Sequence, residues 1–464
     1  MQLKPLWTGF AYKPHQIKGV EWMLGREKDS PAGGILCDEM GLGKTIQMLG
    51  LLKEAGRGDT LLLAPVAVLS QWEETAKRCN IAVFRAATGQ RYVEWKPVGV
   101  VLPGAPRLHI IGYESAKARR ELVRSRIWSR LICDEAHRAA PKNGIHAMVK
   151  DITATSRWFL TATPIVNGLQ DLTHLLELLG VEKASSVSGD IAGLQKYIMA
   201  RTMDDLRASI PDAPPKPVET KVSLPFSTEE ESEFYKGMSG VIVKRWKALQ
   251  SEAGGTLLRL QLFLRLRQLS LHPQIYISAR RKALGALYER PDWVGSSTKF
   301  EAIQDLVKKG LSDAKPHKWI IFCHFHPEME LLAEAMKAMP SVRNVWTYNG
   351  TLNMAERKAV LDASLEPVEA GRADVLLIQL QSGGVGLNLQ HFDRIIFSGP
   401  WWTSALMEQA IGRAVRIGQT EVVQVYHLLL QEEEAINIDS VMREKAESKG
   451  KLCRTVLEAA CRDF

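Results

Sequence analysis

Short apolar runs recur along the chain, and segments with a helical spacing of apolar residues separate them. In the first half these runs are residues 60–64, 108–111, 131–133 and 158–160. A second series comprises residues 319–323, 375–378, 395–397 and 422–428. Buried strands that alternate with helices are typical of parallel α/β sheets. The pattern therefore predicts two α/β lobes.

The segment between the two series has a different composition. Four prolines fall within residues 211–217 and exclude a continuing helix or a central strand there. Ser227-Thr-Glu-Glu and Thr298-Lys-Phe-Glu are capping-box patterns that open helices. Residues 258–266 have a helical composition, although their leucines alternate as in a strand. The predicted divisions are a lobe at 1–210, a proline-rich linker at 211–226, basic helices at 227–295, a lobe at 296–430 and a helical tail at 431–464.

The overall composition indicates an ordinary globular protein, since 45% of the 464 residues are hydrophobic and 24% are charged. The longest strongly apolar stretch, residues 61–69, is less than half of the roughly 20 residues that a membrane span needs. The N-terminus lacks the pattern of a secretory signal, and the six cysteines form no C-x-x-C pair. We therefore expect an intracellular protein without a membrane segment or structural zinc.

The positive charge of the chain is concentrated in one segment. The formal net charge is +8, and residues 236–290 hold eleven Lys and Arg against two Glu. Arg280, Arg281 and Lys282 form its densest cluster. Two interpretations stay open: a pair of solvated helices, or a surface that binds the phosphates of a nucleic acid.

Residues 33–45 combine a short apolar strand, a turn with two glycines and the start of a helix. This is the context of a P-loop, in which backbone N–H groups bind phosphates, a lysine reaches the outer phosphates and a hydroxyl coordinates Mg²⁺. The predicted nucleotide-binding residues are Asp38, Glu39, Met40, Gly41, Leu42, Gly43, Lys44 and Thr45. Asp38 stands where the strict G-x-x-x-x-G-K-[ST] pattern has glycine, so an ordinary strand–helix turn stays open as the alternative.

Two adjacent carboxylates, Asp134 and Glu135, follow the apolar run at residues 131–133. Ligands of open α/β sheets bind at the C-terminal ends of the strands. We expect Asp134 and Thr45 to hold Mg²⁺, and Glu135 to orient and deprotonate the attacking water. An acidic pair is commonplace alone, but this one follows a P-loop by about 90 residues in the same lobe, which favours ATP hydrolysis.

Arg413 and Arg416 are three residues apart, on one face of a predicted helix. An arginine finger stabilises the charge on a phosphoryl group during its transfer, with rate effects of roughly 10³ to 10⁵. Two surface arginines on a helix are the alternative. The predicted catalytic residues are Lys44, Asp134, Glu135, Arg413 and Arg416.

Taken together, these motifs resemble those of the Swi/Snf-type DNA-dependent ATPases of helicase superfamily two, in the same order along nearly the whole chain. The resemblance implies two RecA-like lobes of the P-loop NTPase class, with helical insertions between them, that use ATP and Mg²⁺. Residues 12–22 resemble the adenine-recognising motif, with Gln16 as the adenine ligand. Residues 61–72 and 110–115 resemble motif Ia and its successor, and Thr161-Ala-Thr163-Pro resembles motif III, which links nucleotide state to DNA contact.

The second lobe continues the resemblance. Its matching segments are residues 319–325 for motif IV, 382–389 for motif V, and 399–402 with 409–419 for motif VI. By this resemblance Gly386 and Gln409 contact the nucleotide. The residues assigned to DNA contact or coupling, together with the basic cluster, are Thr161, Thr163, Ser382, Gly383, Gly384, Asn388, Trp401, Trp402, Arg280, Arg281 and Lys282.

Three residues depart from the pattern of the family in the second lobe. Gln379 stands where serine is usual, Ser382 where alanine is common, and Gly399 where aspartate usually precedes Pro-Trp-Trp. None removes a phosphate-binding group, so they bear on coupling to DNA. Residues 265–273 resemble a turn of the branch that often carries a RING insert, but this sequence has no RING pattern.

Two aromatic pairs have alternative interpretations. We interpret His324 and His326 as structural, because no carboxylate or cysteine partner accompanies this H-x-H pair. Trp401 and Trp402 either stack on bases, or pack at a strand end and brace a DNA-contacting loop. The resemblance favours packing.

The resemblance implies an ATP-driven translocase on double-stranded DNA that remodels or displaces nucleosomes or other bound proteins, in chromatin remodelling, repair or transcription. The alternatives are a strand-separating DNA or RNA helicase, against which Thr161-Ala-Thr163 and the ending Arg416-Ile-Gly-Gln argue, and a DNA-binding scaffold with weak ATPase activity. Targeting would come from a partner protein. The expected location is the nucleus or another DNA-containing compartment, such as a viral factory or the bacterial cytoplasm.

Overall fold

The computed structural model describes residues 3–56, 58–88, 93–99, 101–249, 255–313, 315–383 and 387–460. The chain divides into two units, Met1–Ala213 with Ser448–Phe464, and Pro214–Glu447. Each unit contains one sheet with helices around it. The predicted architecture of two parallel-sheet α/β lobes is therefore confirmed.

The first unit alternates strands and helices. Its strands are β1 (Gly33–Leu36), β2 (Asp59–Ala64), β3 (Ala82–Thr88), β4 (Val93–Pro97), β5 (Arg107–Gly112), β6 (Trp128–Asp134), β7 (Ala154–Leu160) and β8 (Ile198–Met199). Its helices are α1 (Pro14–Arg26), α2 (Lys44–Ala55), α3 (Val66–Arg78), α4 (Tyr113–Ala118), α5 (Arg120–Arg124), α6 (Gly144–Asp151), α7 (Leu169–Leu179), α8 (Ala184–Ser188), α9 (Ile191–Gln195) and α10 (Met203–Leu206). Short 3₁₀ turns lie at Ala136–Arg138 and Arg207–Ser209.

The second unit begins with a strand and continues with helices. Its strands are β9 (Val218–Leu224), β10 (His317–Cys323), β11 (Val342–Tyr348), β12 (Ala373–Gln379), β13 (Arg394–Phe397) and β14 (Gln424–Leu430). The helices that follow in chain order are α11 (Glu229–Ala248), α12 (Gly255–Leu271), α13 (Pro273–Leu284), α14 (Thr298–Gly310), α15 (His326–Lys337), α16 (Met354–Ala363), α17 (Leu380–Gly383), α18 (Ser404–Ile411) and α19 (Ile438–Ala460). A 3₁₀ turn lies at Gly285–Leu287, and the residues of α19 from Ser448 onward belong to the first unit.

The sheet of the first unit positions the predicted site. Its strand order is β4-β3-β5-β2-β6-β7-β1-β8, and every pairing is parallel except that of β3 with β4. Strand β7 therefore separates β1 from β6. Because parallel strands end at the same edge, the segments that follow β1, β6 and β7 meet there. These segments carry the phosphate loop, Glu135 and Thr161.

Burial explains why these strands were recognisable. All four residues of β1 are buried, and β2 and β6 are buried over most of their length. Strands covered on both faces by helices have continuous apolar sequences. The core of this unit includes Trp128 and Phe159, and Cys453 of α19 packs against the same cluster.

The sheet of the second unit corrects the predicted linker. Its order is β11-β12-β10-β13-β14-β9, and all its strands are parallel. Residues 211–217 contain no helix or strand, but Val218–Leu224, which we placed in the linker, form the edge strand β9. Val222 and Leu224 pack against the core, while residues 218–221 and Ser223 are exposed. A half-exposed edge strand lacks the continuous apolar run by which we identified strands. The edge strands β4 and β11, and the partly exposed strand β3 next to β4, were missed for the same reason.

The basic segment is helical, as predicted. Its helices α11, α12 and α13 pack around a cluster that includes Phe234, Tyr235, Phe263 and Tyr276. The alternating leucines of α12 do not form a strand: Leu266 and Leu269 are buried, while Leu257 and others on the opposite face are exposed.

Both predicted capping boxes placed the N-cap one residue away from its position in the structure. The N-cap of α11 is Thr228, whose hydroxyl accepts from the N–H of Glu231. The N-cap of α14 is Ser297, because the hydroxyl of Thr298 instead donates to the Glu231 carboxylate at 2.6 Å. Among the described residues, no helix is long and apolar enough to cross a membrane.

Candidate active site

The phosphate loop has the backbone geometry that the sequence predicted. Gly41 and Gly43 adopt φ of +89° and +82°, a region that favours glycine. Lys44 opens α2, and its ammonium group donates to the carbonyl oxygen of Asp38 at 2.6 Å. The loop therefore presents a lysine and a helix N-terminus at the same place, which is an arrangement that binds phosphate.

The side chain of Asp38 is engaged within the protein. We grouped Asp38 with the nucleotide-binding residues of the loop, and its carboxylate is buried. It accepts from Nε and Nη2 of Arg201 at 2.9 and 2.6 Å and from Nε2 of Gln47 at 2.8 Å. Leu42 is likewise fully buried, so its side chain belongs to the core. The carboxylate at the first P-loop position therefore anchors the loop through Arg201 and Gln47.

Helix α1 contacts this loop through Gln16, the residue that we expect to bind adenine. Gln16 is buried, its Oε1 accepts from the N–H of Lys13 at 3.1 Å, and its Nε2 donates to the Leu42 carbonyl at 3.4 Å. A ring nitrogen of His15 lies 2.9 Å from the same carbonyl oxygen. A Cβ atom at Gly43 would lie 2.7 Å from Gln16 Nε2. The predicted adenine ligand is thus in direct contact with the phosphate loop.

Asp134 ends β6, and its carboxylate is oriented by two donors. The indole N–H of Trp72 donates to Oδ2 at 2.8 Å, and the N–H of Glu135 donates to Oδ1 at 3.0 Å. Tyr113 donates to the Asp134 carbonyl at 2.8 Å. Desolvation, followed by the charge of Glu135, raises the pKa of Asp134 to about 6, against the opposing effects of Trp72 and Lys44. A nearby cation would therefore stabilise the ionised form.

Glu135 has a strained backbone and links two motifs. Its φ of +50° is uncommon for a residue with a side chain and costs about 1–3 kcal/mol. The Nδ1 atom of His137 lies 3.5 Å from Glu135 Oε2 and 3.4 Å from the Thr161 hydroxyl, which accepts from the N–H of Thr163 at 3.1 Å. Desolvation lowers the pKa of His137, although the charge of Glu135 opposes this shift. A neutral histidine thus connects the acidic pair with Thr161 and Thr163.

The residues at this edge fit a bound Mg²⁺. Thr45 and Asp134 offer the hard oxygen ligands that Mg²⁺ prefers, and Mg²⁺ commonly uses one or two carboxylates together with substrate phosphates. Within the described residues, no group of three or more His, Cys, Asp or Glu side chains is arranged to hold a metal ion. A bound Mg²⁺ would be held by Thr45 and Asp134 together with the phosphates of a nucleotide.

Trp72 orients the Asp134 carboxylate, so we expect Trp72→Phe to weaken Mg²⁺-dependent nucleotide binding by about tenfold, the effect of losing a partner of a metal ligand. Titration of Mg²⁺ against a fluorescent ADP analogue measures this without hydrolysis. Trp128→Phe is the matched control, because its buried indole donates to the Val123 carbonyl at 2.7 Å, in the core. Equal Mg²⁺ dependence of the two variants would contradict the role of Trp72.

The two predicted catalytic arginines are not on one helical face. Helix α18 ends at Ile411, and Arg413 and Arg416 lie in the turns that follow. Gly412 is the C-cap, and the Nε atom of Arg416 donates to its carbonyl at 2.7 Å. The spacing argument was therefore wrong about their geometry. The predicted nucleotide contact Gln409 is on α18 and is buried.

The end of motif VI is hydrogen-bonded to the segment that directly follows motif V. The amide of Gln419 donates to the carbonyls of Gln390 and Phe392 at 2.8 and 3.1 Å, and Gln390 donates to the Ile417 carbonyl. Asn388 is exposed next to this connection. Ser382 and Gly383 lie in α17, while Gly384 and Gly386 lie outside the described residues.

Trp401 and Trp402 pack within the protein. Trp401 stacks on His324 with 5.4 Å between ring centroids, and Trp402 stacks on Phe263 at 4.4 Å. The guanidinium of Arg267 lies 4.5 and 5.6 Å from the two indole centroids. His324 contacts Arg267 and the Gly399 carbonyl, so both of its ring nitrogens have protein partners. These contacts confirm the structural interpretation of His324 and favour the packing interpretation of the tryptophans.

Two of the three residues of the basic cluster, Arg280 and Arg281, contact other side chains of the protein. Arg281 is paired with Asp292 at 2.8 Å, and the guanidinium of Arg280 lies over the Tyr288 ring. Lys282 is exposed. Most of the outward charge of this segment is therefore on other residues, including Lys244, Arg245 and Lys247 of α11, which are exposed.

Sequence reasoning assigned no role to several residues that build the site. Trp72 and Tyr113 lie in the segments matched to motif Ia and its successor, Gln47 lies in α2 directly after the phosphate loop, and Arg201 comes from a distant part of the first unit. Arg201 had a weak signal, because it follows the short apolar run at residues 197–200 as a lone charged residue.

The first unit has a phosphate loop and an acidic pair at the same edge of its sheet, and the chain also contains a second α/β unit. Together these features define the class of P-loop ATPases with two lobes. Residues 15–189 match the model of the SNF2-related domain, and residues 298–418 match the helicase conserved C-terminal domain. The two matches together cover well over half of the chain. The chain therefore combines an SNF2-related domain with a helicase C-terminal domain and is a helicase-like ATPase, which confirms the resemblance found in its motifs.

Proteins similar to this chain come from a virus, animals, plants and an archaeon. It is 29% identical to the "Probable global transactivator" of Orgyia pseudotsugata multicapsid polyhedrosis virus, over 91% of this chain and 87% of that protein. It is 26% identical to the "Chromodomain-helicase-DNA-binding protein 3 homolog" of Caenorhabditis elegans, over 94% of this chain but 26% of that protein. The solved structure "Sulfolobus solfataricus SWI2/SNF2 ATPase core in complex with dsDNA" is 22% identical, with full coverage of both chains and a TM-score of 0.41.

Proposed function

We propose that this chain is a DNA-dependent ATPase that translocates along double-stranded DNA and remodels or displaces proteins bound to it. The observation that carries the proposal is the continuous set of contacts from Glu135 through His137 to Thr161 and Thr163 at the edge that also holds the phosphate loop. Such contacts join the groups that would hydrolyse ATP to the motif that the family resemblance assigns to DNA coupling.

Each residue of the site has a distinct proposed role. Lys44 and the N-terminus of α2 bind the outer phosphates, while Thr45 and Asp134 hold Mg²⁺, which neutralises charge on the phosphate oxygens when bound. Glu135 orients the attacking water and accepts its proton. We also propose Arg413 and Arg416 as the arginines that stabilise the transferring phosphoryl group. Gln16 recognises adenine.

The DNA contacts are proposed from charge and position. The exposed basic residues of α11 and Lys282 supply positive charge for DNA phosphates. Asn388 is exposed beside the connection between motifs V and VI. Trp401 and Trp402 would support the loop that carries them by packing within the protein. We propose nucleosomes or other DNA-bound proteins as the targets, a partner protein as the source of targeting, and the nucleus or another DNA-containing compartment as the location. The chain spans 26% of the Caenorhabditis elegans relative, so further activities of larger relatives are not assigned to it.

Steady-state ATP hydrolysis tests the proposal. It is measured without nucleic acid and then with duplex DNA, single-stranded DNA and duplex RNA, with Lys44→Ala as the blank. We expect duplex DNA to give the largest stimulation, and the stimulation to weaken as salt rises, because phosphate contacts release counterions. Triplex displacement without strand separation would then show translocation. Stimulation mainly by single strands or RNA would instead indicate a strand-separating helicase, and hydrolysis that no nucleic acid changes would contradict DNA dependence.

A further inference from the structure

Arg201 joins three separate parts of the nucleotide site. Its guanidinium binds both carboxylate oxygens of Asp38, at 2.9 and 2.6 Å, at the entry to the phosphate loop. Nη2 also donates to Oε1 of Gln47 in α2 at 2.8 Å, and Nη1 donates to the backbone carbonyl of His15 in α1. One side chain therefore connects the loop, the helix after it and the helix that carries Gln16.

This connection is buried and closely packed. Arg201 is 5% exposed, and Asp38 and Gln47 are fully buried. Gly19 of α1 makes the approach feasible, since a Cβ atom there would lie 1.9 Å from Gln47 Oε1 and 3.0 Å from Arg201 Nη2. A buried ion pair adds little stability compared with apolar residues of the same size. The cluster is therefore better explained by the geometry that it imposes than by the stability that it adds.

The geometry that this cluster imposes determines how the side-chain amide of Gln16 is oriented. Adenine presents an N6 donor and an N7 acceptor, whereas guanine presents acceptors at both O6 and N7. A glutamine amide discriminates between them only if it cannot rotate to exchange its oxygen and nitrogen. The contacts of Gln16 with Lys13 N–H and the Leu42 carbonyl orient the amide, and each end keeps a second hydrogen-bonding position for a base.

We propose that Arg201 is a positioning residue that sets the preference of the site for adenine over guanine nucleotides. By holding the His15 carbonyl and Asp38 together, it fixes the start of α1 against the phosphate loop, and so fixes the Gln16 amide that spans them. This inference rests on the proposed function, specifically on nucleotide binding at this loop. Arg201 acts through Gln16 and does not itself contact the base.

Binding of fluorescent ADP and GDP analogues, without nucleic acid or hydrolysis, tests the role of Arg201. Arg201→Lys keeps the charge but loses the planar fork, and we expect it to lower the preference for ADP over GDP by about tenfold, as for a lost hydrogen bond to a charged group. The matched control is Arg130→Lys. Arg130 binds Glu27 through two contacts of 2.7 Å in the same unit, at the opposite end of β6 from Asp134.

A double-variant cycle separates positioning from a general loss of structure. If Arg201 acts through Gln16, Gln16→Ala alone lowers the ADP preference, and adding Arg201→Lys lowers it little further. Additive effects, or an Arg201→Lys preference equal to that of Arg130→Lys, would overturn the proposal. If Arg201→Lys does not fold, Arg201→Gln combined with Asp38→Asn leaves no unpaired buried charge and is expected to show the same loss. Failure of the unaltered protein to bind either analogue would instead count against the proposed function.

Discussion

Replacing Glu135 by glutamine is expected to lower the rate of ATP hydrolysis by about 10³-fold while nucleotide binding is retained. The substitution keeps the shape of the side chain but removes the group that accepts the proton, and general base catalysis contributes roughly 10² to 10⁴ in rate. The charge of Glu135 is one of the causes that raise the pKa of Asp134. Without it the pKa of Asp134 falls, so a larger fraction of this carboxylate is ionised at neutral pH and Mg²⁺ binding is not weakened.

The measurement is steady-state hydrolysis with duplex DNA present, together with binding of a fluorescent ADP analogue. Glu114→Gln is the control, since this carboxylate is 65% exposed on α4 of the same unit. Hydrolysis by Glu135→Gln at the rate of the control would show that another group activates the water. Loss of ADP binding in Glu135→Gln would show that Glu135 serves the structure of the site.

Removing Asp439 is expected to have the largest effect on stability. Lys299 and Asp439 are 1% and 3% exposed, and Nζ and Oδ2 are 2.5 Å apart. Asp439 also accepts from the Leu430 N–H at 2.9 Å and from the Ser270 hydroxyl. Asp439→Ala leaves a buried ammonium group without this partner, which lowers the free energy of unfolding by about 3–5 kcal/mol. Urea unfolding, with hydrogen exchange of the α14 amides to locate the loss, measures it.

An exposed ion pair in the same unit supplies the comparison. Lys221 and Glu447 are 2.9 Å apart with side chains 64% and 53% exposed, so Glu447→Ala is expected to change the free energy of unfolding by less than about 1 kcal/mol. If Asp439→Ala lowered the free energy of unfolding no more than Glu447→Ala does, other groups would have to compensate the charge of Lys299. Glu328 is one such candidate: it is fully buried, and although burial raises its pKa, the hydrogen bonds that it accepts and the charge of Lys299 oppose that rise.

Features with a local signature were predictable from the sequence. The strands β2, β6 and β10 each contain a continuous apolar run because helices cover both faces of their sheets. The phosphate loop was recognisable because left-handed backbone at Gly41 and Gly43 demands particular residues at fixed spacing. Edge strand β9 and the end of α18 escaped prediction because half-exposed strands and helix ends depend on neighbours that the local pattern does not contain.

The sequence by itself therefore determined the two α/β lobes, the family and the positions of Lys44, Asp134 and Glu135, since each depends on residues close together in the chain. Only the tertiary structure decided which partners orient them. Asp38 meets Arg201 from 163 positions away, and Asp134 meets Trp72 from 62 positions away. A hydrogen bond between such distant residues imposes no periodicity or spacing on the sequence. It exists only after the sheet has brought the strand ends to a common edge.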